Sequence, residues 1–206
     1  LIFINESDEA VVKNFSRDGS SEVTVLGKAE DPFVISQDNT VIVREDPGDG
    51  MMFAHRLSNG KWSEAQPLGV YPLGFEMQHP EGKILLGRDE EGVLYAHVLG
   101  QDGVYVQKEL GLAGGKMFSS IRLSQKGRTI LWATPMGTLY ANVVDQQGNW
   151  SETRLAKIGV AEDNKGSFGV SEDGRMVWWQ VSKDTKSEIR ILDERSVWQT
   201  PKGVEP

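Results

Sequence analysis

The chain of 206 residues has no cysteine, which excludes disulfide frameworks, thiolate catalysis and cysteine-ligated zinc. That absence is compatible with either redox compartment and does not locate the protein. Long apolar runs are also lacking. No stretch approaches the ~20 residues of a membrane-spanning helix, and no charged start followed by an apolar segment marks a signal peptide. The chain opens on Leu1 rather than a methionine, a start compatible with a mature form or an excised piece of a longer chain. Helical periodicity is missing too: no window keeps apolar residues at i, i+3, i+4 and i+7 for three turns, and the nearest approach, around residues 157–164, contains Gly159. Basic residues are in deficit, 22 Lys and Arg against 30 Asp and Glu, giving a formal charge of -8. Such a surface repels phosphate backbones and anionic headgroups, so no nucleic acid and no membrane insertion is expected.

What the sequence does contain is short runs of about four to six apolar residues, rich in Val, Ile, Leu, Phe, Tyr and Trp, broken by Gly, Asp, Asn or Pro. That pattern predicts an all-β fold. The runs recur as a unit. Gly137-Thr138-Leu139-Tyr140-Ala141 is repeated by Gly92-Val93-Leu94-Tyr95-Ala96, and Trp150-Ser151-Glu152 by Trp62-Ser63-Glu64. Phe53, Tyr95, Tyr140 and Ile189, read as equivalent positions, lie 42 to 49 residues apart, the period of four-stranded propeller blades. Packing blades radially buries both faces of each sheet, which explains apolar residues at adjacent positions such as Ile84, Leu85 and Leu86.

The expected architecture is a single β-propeller domain over 1–206 with five antiparallel blades, at about 1–30, 31–70, 71–112, 113–160 and 161–206. The fourth strand of the second blade is expected to run from Lys61 to Leu68. The first blade shows three strands, its opening strand missing, and the tail after Trp198 carries two prolines, Pro201 and Pro206. The expectation is therefore a five-bladed ring with a weak or incomplete seam, or part of a longer chain with more blades.

Two resemblances follow from these motifs. Ser171-Glu172-Asp173-Gly174, then Gly137-Thr138-Leu139-Tyr140, then Gly60-Lys61-Trp62-Ser63-Glu64 with Leu68-Gly69, together resemble the TolB-type propeller repeat. This resemblance covers nearly the whole chain and implies a bacterial, periplasmic or secreted protein. The Gly-x-Leu-Tyr-Ala element at Gly92 and Gly137 is also similar to five-bladed lectins of the tachylectin type, which implies carbohydrate binding between blades.

First strands line the channel of a propeller, so residues that break the repeat there carry most information. In the column Val34, Glu76, Arg122 and Gly169, two adjacent blades carry opposite charges. Glu76 and Arg122 are the candidate ligand-binding residues, with an internal ion pair between blades as the structural alternative. Trp62, Trp150 and Trp198 recur on outer strands and are expected to be packing anchors. His55 and His97 share a register taken by Asn142 in the next blade; two histidines without a converging carboxylate set predict hydrogen bonding, and no metal or cofactor is expected. Asp38, Glu81 and Asp173 fall in turns whose geometry explains them.

With no Gly-x-Ser-x-Gly, phosphate loop or paired inner-strand carboxylates, the chain is expected not to be an enzyme, a propeller glycosidase being the third reading. The leading reading is a binding module presenting loops to a protein or envelope partner, especially Asp46-Pro47-Gly48-Asp49-Gly50, Ala113-Gly114-Gly115 and residues 182–186. A lectin with a glycan partner is the second.

Overall fold

The computed structural model describes residues 1–15, 18–77, 79, 81–112, 121–124, 126, 129–145, 149–158, 168–180, 187–193 and 197–200, with the side chains of 30–33 and 77 left undescribed. The described residues form twenty strands and no helix, in five antiparallel sheets. Sheet 1 holds β1 (Ile2–Ile4), β2 (Glu9–Phe15) and β3 (Ser21–Lys28). Sheet 2 holds β4 (Glu30–Ile35), β5 (Val41–Glu45), β6 (Met51–Ser58), β7 (Lys61–Trp62) and β8 (Gln66–Val70). Sheet 3 runs β9 (Gly74–Met77), β10 (Ile84–Arg88), β11 (Val93–Leu99) and β12 (Tyr105–Leu112). Sheet 4 runs β13 (Ile121–Leu123), β14 (Thr129–Ala133), β15 (Thr138–Val144) and β16 (Trp150–Lys157). Sheet 5 runs β17 (Phe168–Val170), β18 (Met176–Trp179), β19 (Glu188–Leu192) and β20 (Trp198–Gln199).

A bulge fixes how the sheets correspond. It lies between Met52 and Phe53, Leu94 and Tyr95, and Leu139 and Tyr140 in the third strands of sheets 2 to 4. The same bulge falls between Ala10 and Val11 in β2, so β1, β2 and β3 stand as second, third and fourth strands, without a first.

The sheets stack face to face through four apolar clusters. Ala10, Val12 and Leu26 of sheet 1 meet Ile42 of sheet 2, and Val41, Val43 and Leu68 of sheet 2 meet Leu85 and Tyr105 of sheet 3. Ile84, Leu86 and Leu94 then meet Ile121, Ile130 and Trp132, and Leu131, Leu139 and Ile158 meet Val177 and Trp179. Because neighbours cover both faces, second strands such as β5 and β10 are buried residue after residue instead of alternating. Trp62, Tyr105, Trp150 and Trp198 each join the cluster shared with the preceding sheet. The outer-strand tryptophans are therefore packing anchors, as their recurrence implied.

Among the described residues no fifth cluster joins sheet 5 to sheet 1. Met176 occupies the position at which Val41, Ile84 and Thr129 are 0 % exposed, yet it is 38 % exposed. Among the described residues nothing covers the trailing face of sheet 5 at Met176, and none of them closes the seam.

Two local expectations are corrected. The fourth strand of sheet 2 is broken into β7 and β8: Asn59 and Gly60, with φ of 51° and 78°, make a tight turn that pairs Lys61–Trp62 with the end of β6, and pairing resumes only at Gln66. In sheet 5 the residue equivalent to Tyr95 and Tyr140 is Glu188, opposite Trp179, and not Ile189, because β19 enters its ladder with β18 one residue earlier.

The Ser-x-Asp turns are closed by their own side chains. Ser36 Oγ donates to Asp38 Oδ1 at 2.6 Å and accepts from the Val41 amide, and Ser171 repeats both bonds with Asp173 and Met176. Burial raises the Asp38 pKa, but the hydrogen bonds from Ser36 and Thr40 outweigh it and hold the carboxyl below its usual range. The Ser171 bond does the same for Asp173. These carboxylates are turn acceptors.

Candidate functional site

The first-strand column falls in one register. Val34, Glu76, Arg122 and Gly169 pair with Val43, Leu86, Leu131 and Trp178, which are equivalent second-strand positions. β4 approaches β9, and β13 approaches β17, so these strands lie side by side. Glu76 and Arg122 are both exposed. Arg122 donates from Nη1 to its neighbour's carbonyl, Ile121 O, at 2.7 Å, and its guanidinium lies 5.2 Å from the centre of the Phe168 ring of sheet 5. Among the described residues the ion pairs are Arg44 with Asp46 and Lys83 with Glu81, so Glu76 and Arg122 are not joined to one another.

Behind this column each sheet carries a buried brace that the sequence did not reveal. One planar group fills the fourth position of the second strand, and a polar side chain on the third strand meets it. In sheet 2 the group is Arg44, whose Nε donates to Leu26 O at 3.0 Å and to His55 Nε2 at 3.2 Å, while Nη1 donates to Lys28 O at 2.5 Å. Both carbonyls belong to sheet 1. Gly27 between them has φ of 115°, and a Cβ there would stand 2.7 Å from Arg44 Nη2. Arg44 also lies 4.6 Å from the centre of the Phe53 ring.

In sheet 3 the fourth position is Gly87, and the ring that fills the space is Tyr71, from the connection before β9. A Cβ on Gly87 would lie 2.4 Å from the Tyr71 ring. Tyr71 Oη donates to Leu68 O at 3.0 Å, accepts from Gln107 Nε2 at 2.9 Å and stands 2.6 Å from His97 Nε2. With the single hydroxyl proton on Leu68 O, His97 must donate through Nε2. His55 takes the opposite tautomer: its Nε2 accepts from Arg44, so Nδ1 carries the proton toward Ser63 O at 3.3 Å. In sheet 4 Trp132 stacks on Tyr140 and donates to Asn142 Oδ1 at 2.8 Å. In sheet 5 Trp179 lies beneath Arg190, which cannot accept, and its Nε1 is buried without a partner.

These braces are structural and neutral at the histidines. Burial lowers the His55 pKa, the Ser63 carbonyl opposes this, and the Arg44 charge adds to the lowering. Burial alone brings His97 to about 4 and, in the main, pushes Tyr71 up to about 12. The unfolded chain protonates His97 near its ordinary value of 6.5, so the unfolded state binds more protons between pH 6.5 and 4. The contribution is full above pH 6.5 and is lost as pH falls toward 4, roughly 3 kcal/mol over that window. His97→Asn, which copies Asn142, is expected to reduce the acid dependence of stability by that order. Urea unfolding at pH 7 and pH 4.5 checks it, and an unchanged difference between the two would show that His97 is not held neutral.

Of the three loops proposed for presentation, only Asp46–Gly50 is described. It is tied by Asp46 Oδ1 to the Gly48 amide and by Asp49 Oδ1 to the Met51 amide, both at 2.9 Å. Residues 113–115, 182–186 and the tail 201–206 lie outside the described residues. No group of three or more His, Asp or Glu gathers among the described residues, and no helix there is long and apolar enough to cross a membrane.

Antiparallel four-stranded sheets, stacked face to face with their first strands adjacent, define a β-propeller. Solved propellers share this architecture. The chain is similar to the Cps50 (Swd1) beta-propeller domain of Myceliophteria thermophila, at 14% identity and TM-score 0.38, covering 97% of this chain and 69% of that one. It is similar to a functionally unknown protein from Desulfotomaculum acetoxidans, at 16% identity and TM-score 0.45, covering 95% and 62%. It is also similar to PpgL, the periplasmic gluconolactonase of Pseudomonas aeruginosa, at 16% identity and TM-score 0.42, covering 94% and 62%. The chain thus spans 62–69% of the length of these structures. No protein-family model and no curated protein sequence matches it.

The expectation that the chain is not an enzyme is corrected by these neighbours, since PpgL carries the name of a gluconolactonase. The physical reason is general. A propeller hydrolase needs a few side chains converging at the channel mouth from separate strands and loops, and no contiguous motif records such a set. Missing motifs therefore do not exclude catalysis.

Proposed function

We propose that the chain, taken as one propeller domain over 1–206, is a binding scaffold whose channel mouth engages a polar segment of a protein or envelope partner through Glu76 and Arg122. The observation that carries this reading is the pair itself: opposite charges, both exposed, at one register of adjacent sheets and not joined to each other. The TolB-like motifs support a periplasmic or secreted setting, and the Gly-x-Leu-Tyr-Ala elements support a glycan as the second partner class.

The test is site-specific photo-crosslinking from position 76 or 122 in cells that make the protein, alongside a glycan array. Glu76→Gln and Arg122→Gln are expected to leave the Tm within about 2 °C, as exposed substitutions do, while abolishing a discrete protein crosslink. Specific glycan hits with no protein crosslink would replace this reading by the lectin. A Tm loss above about 5 °C in either variant would return the pair to a structural role.

A further inference from the structure

We propose that sheet 5 carries a carboxylate-binding site made by the Trp179 indole N–H and the Arg190 guanidinium, in the slot that sheets 2 to 4 close with acceptors of their own.

Equivalent positions show what sheet 5 lacks. Trp132 pairs with Ile121 and Trp179 with Phe168, while Asn142 pairs with Ile130 and Arg190 with Val177, so Trp179 stands in the place of Trp132 and Arg190 in the place of Asn142. In sheet 4 the indole Nε1 donates to Asn142 Oδ1 at 2.8 Å, and Asn142 Nδ2 donates onward to Glu152 Oε2 at 3.2 Å. In sheet 2 His55 Nε2 accepts from Arg44, and in sheet 3 Leu68 O accepts from Tyr71. Every donor there ends on an acceptor.

Sheet 5 sets two donors together instead. Trp179 is 0 % exposed and its Nε1 has no hydrogen-bond partner, a costly state for a buried N–H. Arg190, whose guanidinium lies 5.8 Å from the centre of the Trp179 ring, carries five N–H groups and no acceptor. Its Nη1 donates to Thr200 Oγ1, which leaves the rest of the fork for a ligand. Glu188, paired with Trp179 across the ladder, is exposed and bonds to neither group.

The chemical complement of an indole N–H beside a guanidinium is a carboxylate, one oxygen for each, and low local polarity strengthens both bonds. Trp179 shares its apolar cluster with Leu131, Leu139 and Ile158, whereas Arg190 is half-buried and Thr200 exposed, so the ligand enters along Arg190 from the outer side. A small organic acid or a Glu or Asp side chain of a partner polypeptide supplies this group. The inference does not rest on Glu76 or Arg122, and either reading can fail alone.

The probe is acetate, titrated at constant ionic strength against the full chain with its six tryptophans 15N-labelled, with acetamide as the neutral isostere. Trp179→Phe and Trp132→Phe assign the two indole signals. Millimolar acetate is expected to move the Trp179 N–H signal downfield and leave that of Trp132 in place, and acetamide to move neither. Arg190→Asn copies Asn142 and supplies the acceptor from within the chain. It is expected to keep the Tm at or above the original and to weaken the acetate response at least tenfold. A capped Gly-Glu-Gly tripeptide binding at least tenfold more tightly than acetate would support the site with the carboxylate on a polypeptide, and weaker binding would support it with a small acid. A Trp179 signal that acetate does not move, that acetamide moves equally, or that responds as strongly in Arg190→Asn would overturn the proposal. The acetate and acetamide comparison uses the unaltered chain and decides the matter should Arg190→Asn unfold.

Discussion

Arg44→Leu is expected to lower the stability of the chain by about 3–5 kcal/mol, the range for breaking one side of a buried charged network. Arg44 is 6 % exposed, and its three donating contacts end on Leu26 O, Lys28 O and His55 Nε2. Leucine fills part of the volume but leaves these acceptors without their donor at the junction of sheets 1 and 2. Burial lowers the guanidinium pKa and the Asp46 carboxylate, 3.8 Å away, opposes that lowering, so the charge is retained. For a chain of this size the loss corresponds to a fall in Tm of roughly 10 °C. Arg44→Lys keeps the charge but not the planar fork, and is expected to recover less than half. Differential scanning calorimetry of the two variants checks both statements. A change below about 1 kcal/mol for Arg44→Leu would mean that the bonds to sheet 1 do not hold that junction.

Gly87→Trp is expected to be as damaging, for a steric reason. A single added carbon meets the Tyr71 ring at 2.4 Å, so any larger side chain expels the ring from its slot. Tyr71 then loses its bonds to Leu68 O, Gln107 and His97 together with its place in the cluster between sheets 2 and 3. Lost packing and three stranded polar groups put the cost at about 3–5 kcal/mol, again roughly 10 °C in Tm. The same substitution at an open position on a second strand would cost little. Near-UV circular dichroism adds a local readout, because Tyr71 sits within 6 Å of the Phe75 and Tyr95 rings and its expulsion changes that environment.

The propeller was legible because its cause is repetition. Turn residues at Asp38, Gly137 and Asp173, and apolar runs that ignore alternation, report blades covered on both faces before any coordinate is known. The register of His55, His97 and Asn142 was legible as well, since strand parity carries it. Their partners were not. The slot opposite them is a volume filled by a guanidinium, a phenol ring arriving over a glycine, and two indoles, so a column reading Arg44, Gly87, Trp132 and Trp179 shows no common chemistry. Tyr71 lies sixteen residues before the glycine it covers. The position of Ile189 has a related origin, for spacing along the chain cannot register a one-residue change in where β19 joins β18. At the channel, Glu76 and Arg122 stood out because they break the repeat, and their exposure followed from first-strand position, whereas the stacking of Arg122 on Phe168 depends on how two sheets approach.

The central claim is that every blade from sheet 2 to sheet 5 is braced at one equivalent slot by one planar group, whichever residue supplies it. The most direct measurement is thermal unfolding of Gly87→Trp alone and of the triple variant Gly87→Trp, Tyr71→Ala, His97→Asn. The triple rebuilds in sheet 3 the Trp132 and Asn142 brace of sheet 4, with Gln107 standing where Glu152 faces Asn142. It is predicted to regain at least half of the stability lost by Gly87→Trp and to exceed the sum of the single variants by more than about 2 kcal/mol. A triple variant at or below that sum would contradict the equivalence of the slots.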